Sequence, residues 1–239
     1  MRILAQGEGG IVVELGQEID PAVNARVQAL ARAVAARLPD QVLEVVPSYR
    51  SLLVLHDPLR VPRAGLERRL VRLAAEVEAV PPAELRRVLR VPVCYGGDLG
   101  PDLEEVAWHA RLSPSQLVAL HAAPVYRVFL LGFTPGFPYL GGMNPRIACP
   151  RLPTPRVRLA AGSVGIAGDQ TGIYPVESPG GWRIVGRTPL RLFDPDPGAR
   201  RPFLLEAGDG LRFLPIERPA FEDVARAVAA GRHEPEVER

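Results

Sequence analysis

The sequence contains no lysine, and all 29 basic residues are arginine. This excludes a phosphate-loop lysine, a Schiff-base lysine and a biotin-accepting lysine from this chain. If the protein uses ATP, we therefore expect another subunit to hold the nucleotide. An excess of one charge is also missing, because 27 acidic residues leave a net charge of only +2. This balance favours neither a nucleic-acid partner nor an anionic membrane.

Cysteines and long apolar runs are scarce as well. The two cysteines, Cys94 and Cys149, form no CxxC pair and are too few for a disulfide framework. Their apolar and proline neighbours predict buried, unreactive thiols. No apolar run approaches the roughly 18 residues of a membrane span, and the N-terminus lacks the apolar core of a signal peptide. These features predict a cytoplasmic protein with no membrane partner.

Two kinds of site, a structural zinc site and a serine nucleophile, lack the residue spacing that usually marks them in a sequence. The histidines form no HxH or HxxxH pair, and neither cysteine lies close to one in sequence, so structural zinc is not expected. Ser163 lies in AGSVG, which has alanine where a nucleophile elbow needs its first glycine. We therefore interpret it as a turn serine. The histidines are His56, His109, His121 and His233.

Residues 1–87 combine short β-rich runs with amphipathic helices and are predicted as one domain. Asp20 followed by Pro21 is typical of a capped helix start, and apolar residues continue at helical spacing to residue 38. The order β-α-β-β-α suits two helices on one face of an antiparallel sheet. The predicted elements are strand 9–15, helix 21–38, a hairpin of strands 42–47 and 51–57, and helix 63–79.

Residues 88–239 are predicted as a second domain, built mainly of β structure. Between Gly96 and Ala123 we expect two short helices, capped by Asp102 and Ser113. After residue 124, short apolar runs separated by glycine and proline turns are typical of a barrel or sandwich. The remaining predictions are a strand over 88–95, a hairpin at Asp209-Gly210, a final helix over 219–231 and a frayed segment over 232–239.

Residues 129–193 carry the strongest functional signal. The segment is dense in glycine and proline, yet aromatic and β-branched residues run all through it. Disordered segments lack such residues, so this one is folded. Proline presets φ, and glycine permits positive φ and close approach of the backbone. Because such residues recur at many positions, we expect loops that are shaped around a ligand or a partner.

Three motifs in and before this segment resemble a known family. GFTPGFPYLGG (132–142), the run from TPRVRL to GRTP (154–189) and VPVCYGGDLGPDLEEVA (91–107) are similar to the B subunit of the bacterial ATP-dependent 5-oxoprolinase. That family is also named for a sporulation-kinase inhibitor and for allophanate hydrolase subunit 1. The resemblance implies an α+β fold, with a small N-terminal α/β sandwich lobe followed by a cyclophilin-like β-barrel domain with a C-terminal helix.

The resemblance also implies a function. It indicates a non-autonomous subunit that acts with other 5-oxoprolinase subunits, above all one similar to the C subunit, in the ATP-dependent opening of 5-oxo-L-proline to L-glutamate. ATP with Mg²⁺ would then serve the complex, since no motif in this chain would bind it. Two other functions stay open: a binding module that inhibits a sensor histidine kinase, and a component of a urea carboxylase or allophanate hydrolase system.

His121 is the first candidate site residue. It lies at the end of the predicted helix SPSQLVALHAAP, where a charged imidazole would cap the helix C-terminus. In the alternative interpretation it faces a cleft beside the barrel and acts as an acid or base. The family resemblance implies a similar histidine at this place, which supports the functional alternative and leaves both interpretations open.

The segment AGDQTGIYPVESPGGW supplies most of the other candidates. For a cyclic amide acid, Gln170 suits the lactam oxygen, and Arg183 or Arg187 suits the carboxylate. Glu177 or His121 suits the acid/base role. Alternatively, Glu177 and Arg183 pair with each other or face solvent. The predicted catalytic residues are His121, Glu177 and Gln170, and the predicted substrate-binding residues are Arg183, Arg187, Tyr139, Tyr174 and Thr171.

The loop 132–142 places three aromatic residues, Phe133, Phe137 and Tyr139, between glycines and prolines. They form either an aromatic plug under a long connection or a rigid rim that faces a ligand or a partner subunit. On the second interpretation, Phe137→Asp would abolish assembly with the partner and leave the isolated chain folded.

Overall fold

The computed structural model describes residues 1–77, 84–199 and 201–238. The chain divides into two compact units, Met1–Glu84 and Leu85–Arg239, each with its own apolar core. Among the described residues, no helix is long and apolar enough to cross a membrane. The same residues contain no cluster of histidine, cysteine, aspartate and glutamate that could hold a metal ion.

The first unit is a four-stranded antiparallel sheet with two helices. Its elements are β1 (Arg2–Gln6), β2 (Gly10–Glu14), α1 (Pro21–Arg37), β3 (Glu44–Pro47), β4 (Ser51–Leu55) and α2 (Arg63–Glu76). The strands of the sheet follow the order β1-β2-β4-β3. The edge strand β1 has a single partly buried position and no fully buried one, so no apolar pattern predicted it. The predicted hairpin is confirmed by the pairing of β3 with β4.

Helix α1 illustrates why the local sequence suffices to predict a helix in this unit. The Asp20 carboxylate accepts hydrogen bonds from the backbone N–H groups of Ala22 and Val23, at 2.8 and 3.0 Å. Val27 and Leu30, three residues apart on one face, are fully buried. The predicted second helix ran to residue 79, and its last two residues lie outside the described ranges.

The second unit is a closed barrel with peripheral helices. Its elements are β5 (Val88–Tyr95), α3 (Leu103–His109), α4 (Pro114–Ala122), β6 (Tyr126–Leu131), β7 (Pro138–Gly141), β8 (Arg156–Leu159), β9 (Ser163–Ala167), β10 (Gln170–Ile173), β11 (Ser178–Gly180), β12 (Arg183–Arg187), β13 (Gly210–Pro215), α5 (Arg218–Ala229) and β14 (Val237–Glu238). Seven strands follow the order β12-β9-β10-β7-β6-β13-β5, and the pairing of β5 with β12 closes the barrel. Strands β8 and β11 form a separate ribbon.

The barrel confirms the α+β prediction and corrects two details. No hairpin forms at Asp209-Gly210, because β13 pairs in parallel with β5 and antiparallel with β6, strands that lie far away in sequence. The last residues are not frayed, because β14 adds to the edge of β5. Backbone pairing with a distant strand holds this tail, and no local pattern signals such pairing.

Candidate functional site

An aromatic pocket opens beside the barrel within the second unit. Its cavity has a volume of about 280 Å³. The lining consists of aromatic rings, prolines, glycines and one cation: Phe133, Phe137, Tyr139, Arg151, Pro155, Tyr174, Pro179, Gly180, Gly181 and Trp182. We call this site the aromatic pocket.

Phe137 is the centre of the rings beneath the pocket. It is 1% exposed, and its ring meets those of Tyr174 and Trp182 edge to face, at 5.3 and 5.4 Å between centroids. Tyr139 lies 5.0 Å from the same ring. Edge-to-face pairs at such distances add stability beyond the area they bury. The rings therefore form a rigid floor and wall.

Phe133 lies in the same loop as Phe137, but its exposure and its backbone conformation differ. It is 64% exposed and has a positive φ of 65°, a conformation that bulky residues rarely adopt. Phe137 thus fits the predicted plug, and Phe133 is exposed where the alternative needs a rim, while contact of that rim with a ligand or a partner subunit stays a prediction. Against the prediction that Phe137→Asp would leave the chain folded, an aspartate there would be buried among aromatic rings, so we expect this variant to unfold.

Glycines allow the walls of the pocket to approach each other. A Cβ atom on Gly180 would lie 2.4 Å from the Tyr174 hydroxyl oxygen, and one on Gly172 would lie 2.8 Å from the Phe137 ring. Real Cβ atoms do not come so close to other atoms. The dense glycine content of this segment is therefore explained in part by close packing around the aromatic rings.

Arg151 supplies the positive charge of the pocket. Its guanidinium carbon lies 6.0 Å from the centroid of the Trp182 ring. It was not among the predicted site residues, because CPRLPTPR shows neither periodicity nor a motif. Its charge opposes the effect of burial on the pocket phenols, yet burial dominates: it raises the pKa of Tyr174 to about 12 and raises that of Tyr139.

His121 lies in the barrel core, away from solvent. Its side chain is completely buried, and burial lowers the pKa of the imidazole to about 3. The ring stacks on Phe213 with 4.5 Å between centroids. The imidazole is therefore neutral, and the interpretation of His121 as a charged helix cap is wrong. Its acid/base role stays a prediction, and complete burial favours a structural role.

Hydrogen bonds determine the tautomer of His121. The Thr171 hydroxyl donates to the Gly165 carbonyl at 2.9 Å. Its oxygen therefore accepts from Nε2–H of His121, also at 2.9 Å. Nδ1 is left as the acceptor for the Tyr95 hydroxyl at 2.8 Å. This chain of bonds ties α4 to strands β5, β9 and β10, and it brings two predicted site residues, His121 and Thr171, together in the core.

Asp102 does not cap α3 as predicted. Its carboxylate makes no capping bond and instead forms a bidentate pair with Arg156, with both distances at 2.7 Å. It also accepts from the backbone N–H of Ile184 at 2.6 Å. Asp102 is 5% exposed, and the pair joins the ribbon strand β8 to the barrel strand β12. A partner 54 residues away thus replaces the expected local one.

The charged residues predicted to surround the substrate form ion pairs or hydrogen bonds with other parts of the chain. Arg183 is paired with Glu105 at 2.5 Å, and the exposed Glu177 is paired with Arg158 at 2.7 Å. The interpretation that Glu177 and Arg183 pair with each other is therefore wrong. Arg187 donates to a backbone carbonyl at 2.8 Å. None of these residues lines the aromatic pocket.

The structure thus brings two of the predicted residues, Tyr139 and Tyr174, into one pocket. Gln170, on β10, is half-buried and not among the lining residues. Ser163 is buried and donates to the Ala160 carbonyl, as suits a turn serine. Both cysteines are buried, which confirms the expected burial, and burial raises the pKa of each thiol, which supports the prediction that they are unreactive.

The chain matches the family model of the carboxyltransferase domain, subdomain C and D, over residues 1–205. The B subunit of the 5-oxoprolinase of Bacillus subtilis (strain 168) is 42% identical over 224 residues, which cover 88% of this chain and 90% of that protein. The corresponding protein of Escherichia coli O157:H7 is 43% identical over 212 residues, which cover 87% of this chain and 93% of that one. The chain therefore belongs to the family of 5-oxoprolinase B subunits, within the carboxyltransferase-domain proteins.

Solved structures agree with this fold. The sequence of TTHA0988, a protein of known crystal structure, is 42% identical to that of this chain. The two structures agree with a TM-score of 0.74 over 88% of this chain, and the match covers only 40% of that longer chain. The urea amidolyase of K. lactis has a TM-score of 0.84 over 99% of this chain and 16% of its own. At 22% identity, that similarity supports the fold alone.

Proposed function

We propose that this chain is the B subunit of an ATP-dependent 5-oxoprolinase complex, which opens 5-oxo-L-proline to L-glutamate. The observation that carries the proposal is the 42% identity to the B. subtilis protein over nearly the full length of both chains. Fold alone would not suffice, since one fold supports many activities.

The proposed reaction needs more than this chain. ATP would transfer a phosphoryl group to the lactam oxygen, which releases ADP and makes the ring carbon open to attack by water. The ring C–N bond would then break, with the nitrogen leaving as the amine, and a second water would release phosphate from the resulting acyl phosphate of glutamate. The chain contains no lysine and no phosphate-loop motif, so we propose that ATP with Mg²⁺ is held elsewhere in the complex. The isolated chain is then inactive. Because the reaction consumes ATP, we place the complex in the cytoplasm.

The proposal is tested by expressing this chain with the products of its neighbouring genes. The measurement is 5-oxoproline-dependent release of phosphate and glutamate, with each subunit omitted in turn. We expect activity to vanish when this chain is left out. Activity that persists without it would refute the proposal and favour a regulatory binding module. Activity of the isolated chain would refute the dependence on partners.

A further inference from the structure

Arg151 differs from its neighbouring arginines. Arg156 is held by Asp102 and Arg183 by Glu105, and each of these pairs neutralises a guanidinium. No carboxylate pairs with Arg151 among the residues that the structure describes. It is exposed at the aromatic pocket, where its guanidinium lies over the Trp182 ring. A guanidinium in this state is available for a bidentate bond to a carboxylate.

Two phenols share the space around this cation. Arg151, Tyr139 and Tyr174 all line the same cavity. A phenol is protonated near neutral pH, and burial raises the pKa of both Tyr139 and Tyr174 further. The Tyr174 hydroxyl is therefore a hydrogen-bond donor, which suits a neutral carbonyl oxygen on a ligand.

The rest of the lining suits a small ring. Trp182 and Phe133 offer aromatic surface, and Gly180 and Gly181 add backbone without side chains to the lining. A volume of about 280 Å³ accommodates a single small heterocycle with its carboxylate.

We propose that the aromatic pocket binds a carboxylate-bearing lactam, with Arg151 on the carboxylate and the Tyr174 hydroxyl toward the lactam carbonyl. The proposal rests on the proposed function for the identity of the lactam, 5-oxoproline. It replaces Arg183 and Arg187 by Arg151 as the carboxylate-binding residue.

The test measures equilibrium binding of 5-oxo-L-proline to the full chain by calorimetry, for the wild type, Arg151→Gln and Arg146→Gln. Arg146 is a matched control, an exposed arginine of the same unit outside the pocket. We expect Arg151→Gln to weaken binding about 10- to 100-fold, as for a lost charge-assisted bond. We expect Arg146→Gln to bind within about twofold of the wild type.

A second ligand tests the role of the carboxylate. 2-Pyrrolidinone has the lactam ring without the acid, so its affinity should not change in Arg151→Gln. Circular dichroism checks that the variants are folded, which the exposure of both arginines leads us to expect. Binding of 5-oxoproline that is absent in the wild type, unchanged in Arg151→Gln or equally weakened in Arg146→Gln would overturn the proposal.

Kinetics of the assembled complex separate this proposal from the proposed function. If the complex hydrolyses 5-oxoproline and Arg151→Gln leaves its KM unchanged, the pocket assignment is wrong and the proposed function stands. If no complex with this chain is active, yet Arg151→Gln selectively weakens 5-oxoproline binding, the proposed function fails and the pocket assignment stands.

Discussion

Replacement of His121 by glutamine should remove a specific part of the pH dependence of stability. The pKa of His121 is about 3 in the folded protein, against an ordinary value of 6.5. Between these values the unfolded chain binds a proton that the folded barrel does not, so stability falls as the pH drops below 6.5. At pH 5 the difference of 1.5 pH units corresponds to a loss of about 2 kcal/mol. Glutamine keeps a polar group but does not titrate.

The assay is urea unfolding at pH 7 and pH 5, followed by tryptophan fluorescence. Both tryptophans, Trp108 and Trp182, lie in the barrel unit, so the signal reports that unit. We expect the wild type to lose about 2 kcal/mol more than His121→Gln between the two pH values. His109→Gln is the control, since His109 is exposed and outside the hydrogen-bond network. Equal losses in the wild type and His121→Gln would refute the reasoning.

Three further predictions concern stability and assembly. Asp102→Ala should lower the free energy of unfolding, measured in urea, by about 2–3 kcal/mol, because it leaves the half-buried Arg156 and the buried N–H of Ile184 without a partner. Glu104→Ala, at an exposed position, should lower it by less than about 0.5 kcal/mol. Phe137→Asp should unfold the barrel unit, as measured by circular dichroism, because it buries a charge. Phe133→Asp should stay folded and fail to co-elute with the partner subunit. Normal co-elution of Phe133→Asp would count against the rim as an interface. Gly180→Ala should lower the Tm of the barrel unit, and an unchanged Tm would contradict the steric argument.

The helices could be predicted where their signals are local. Asp20 and Ser113 each cap the helix that follows, and Ser113 completes a capping box with Gln116. The hydrogen bonds at these caps span only two or three residues. Asp102 has the same sequence signature, yet its carboxylate binds Arg156 across the fold. A long-range partner overrides a local preference whenever folding brings it within reach.

The candidate site could be predicted only in part, for the same reason. Tyr139 and Tyr174 stand out in sequence as polar aromatics between turn residues, and they do line one pocket. Glu177 and Arg183 stand out as charged residues, but each has a partner from another segment. Arg151 has no sequence signal, and its importance depends on which arginines of the fold lack a carboxylate.

The sequence by itself determined the absence of lysine chemistry, the α+β class and the family, because these depend on composition, local periodicity and motifs along the chain. Only the tertiary structure decided that His121 is neutral, that Asp102 is a long-range anchor and that Arg151 faces the aromatic pocket. Burial and ion pairing are properties of the space around a side chain. That space is filled by residues tens of positions away, so no local pattern encodes it.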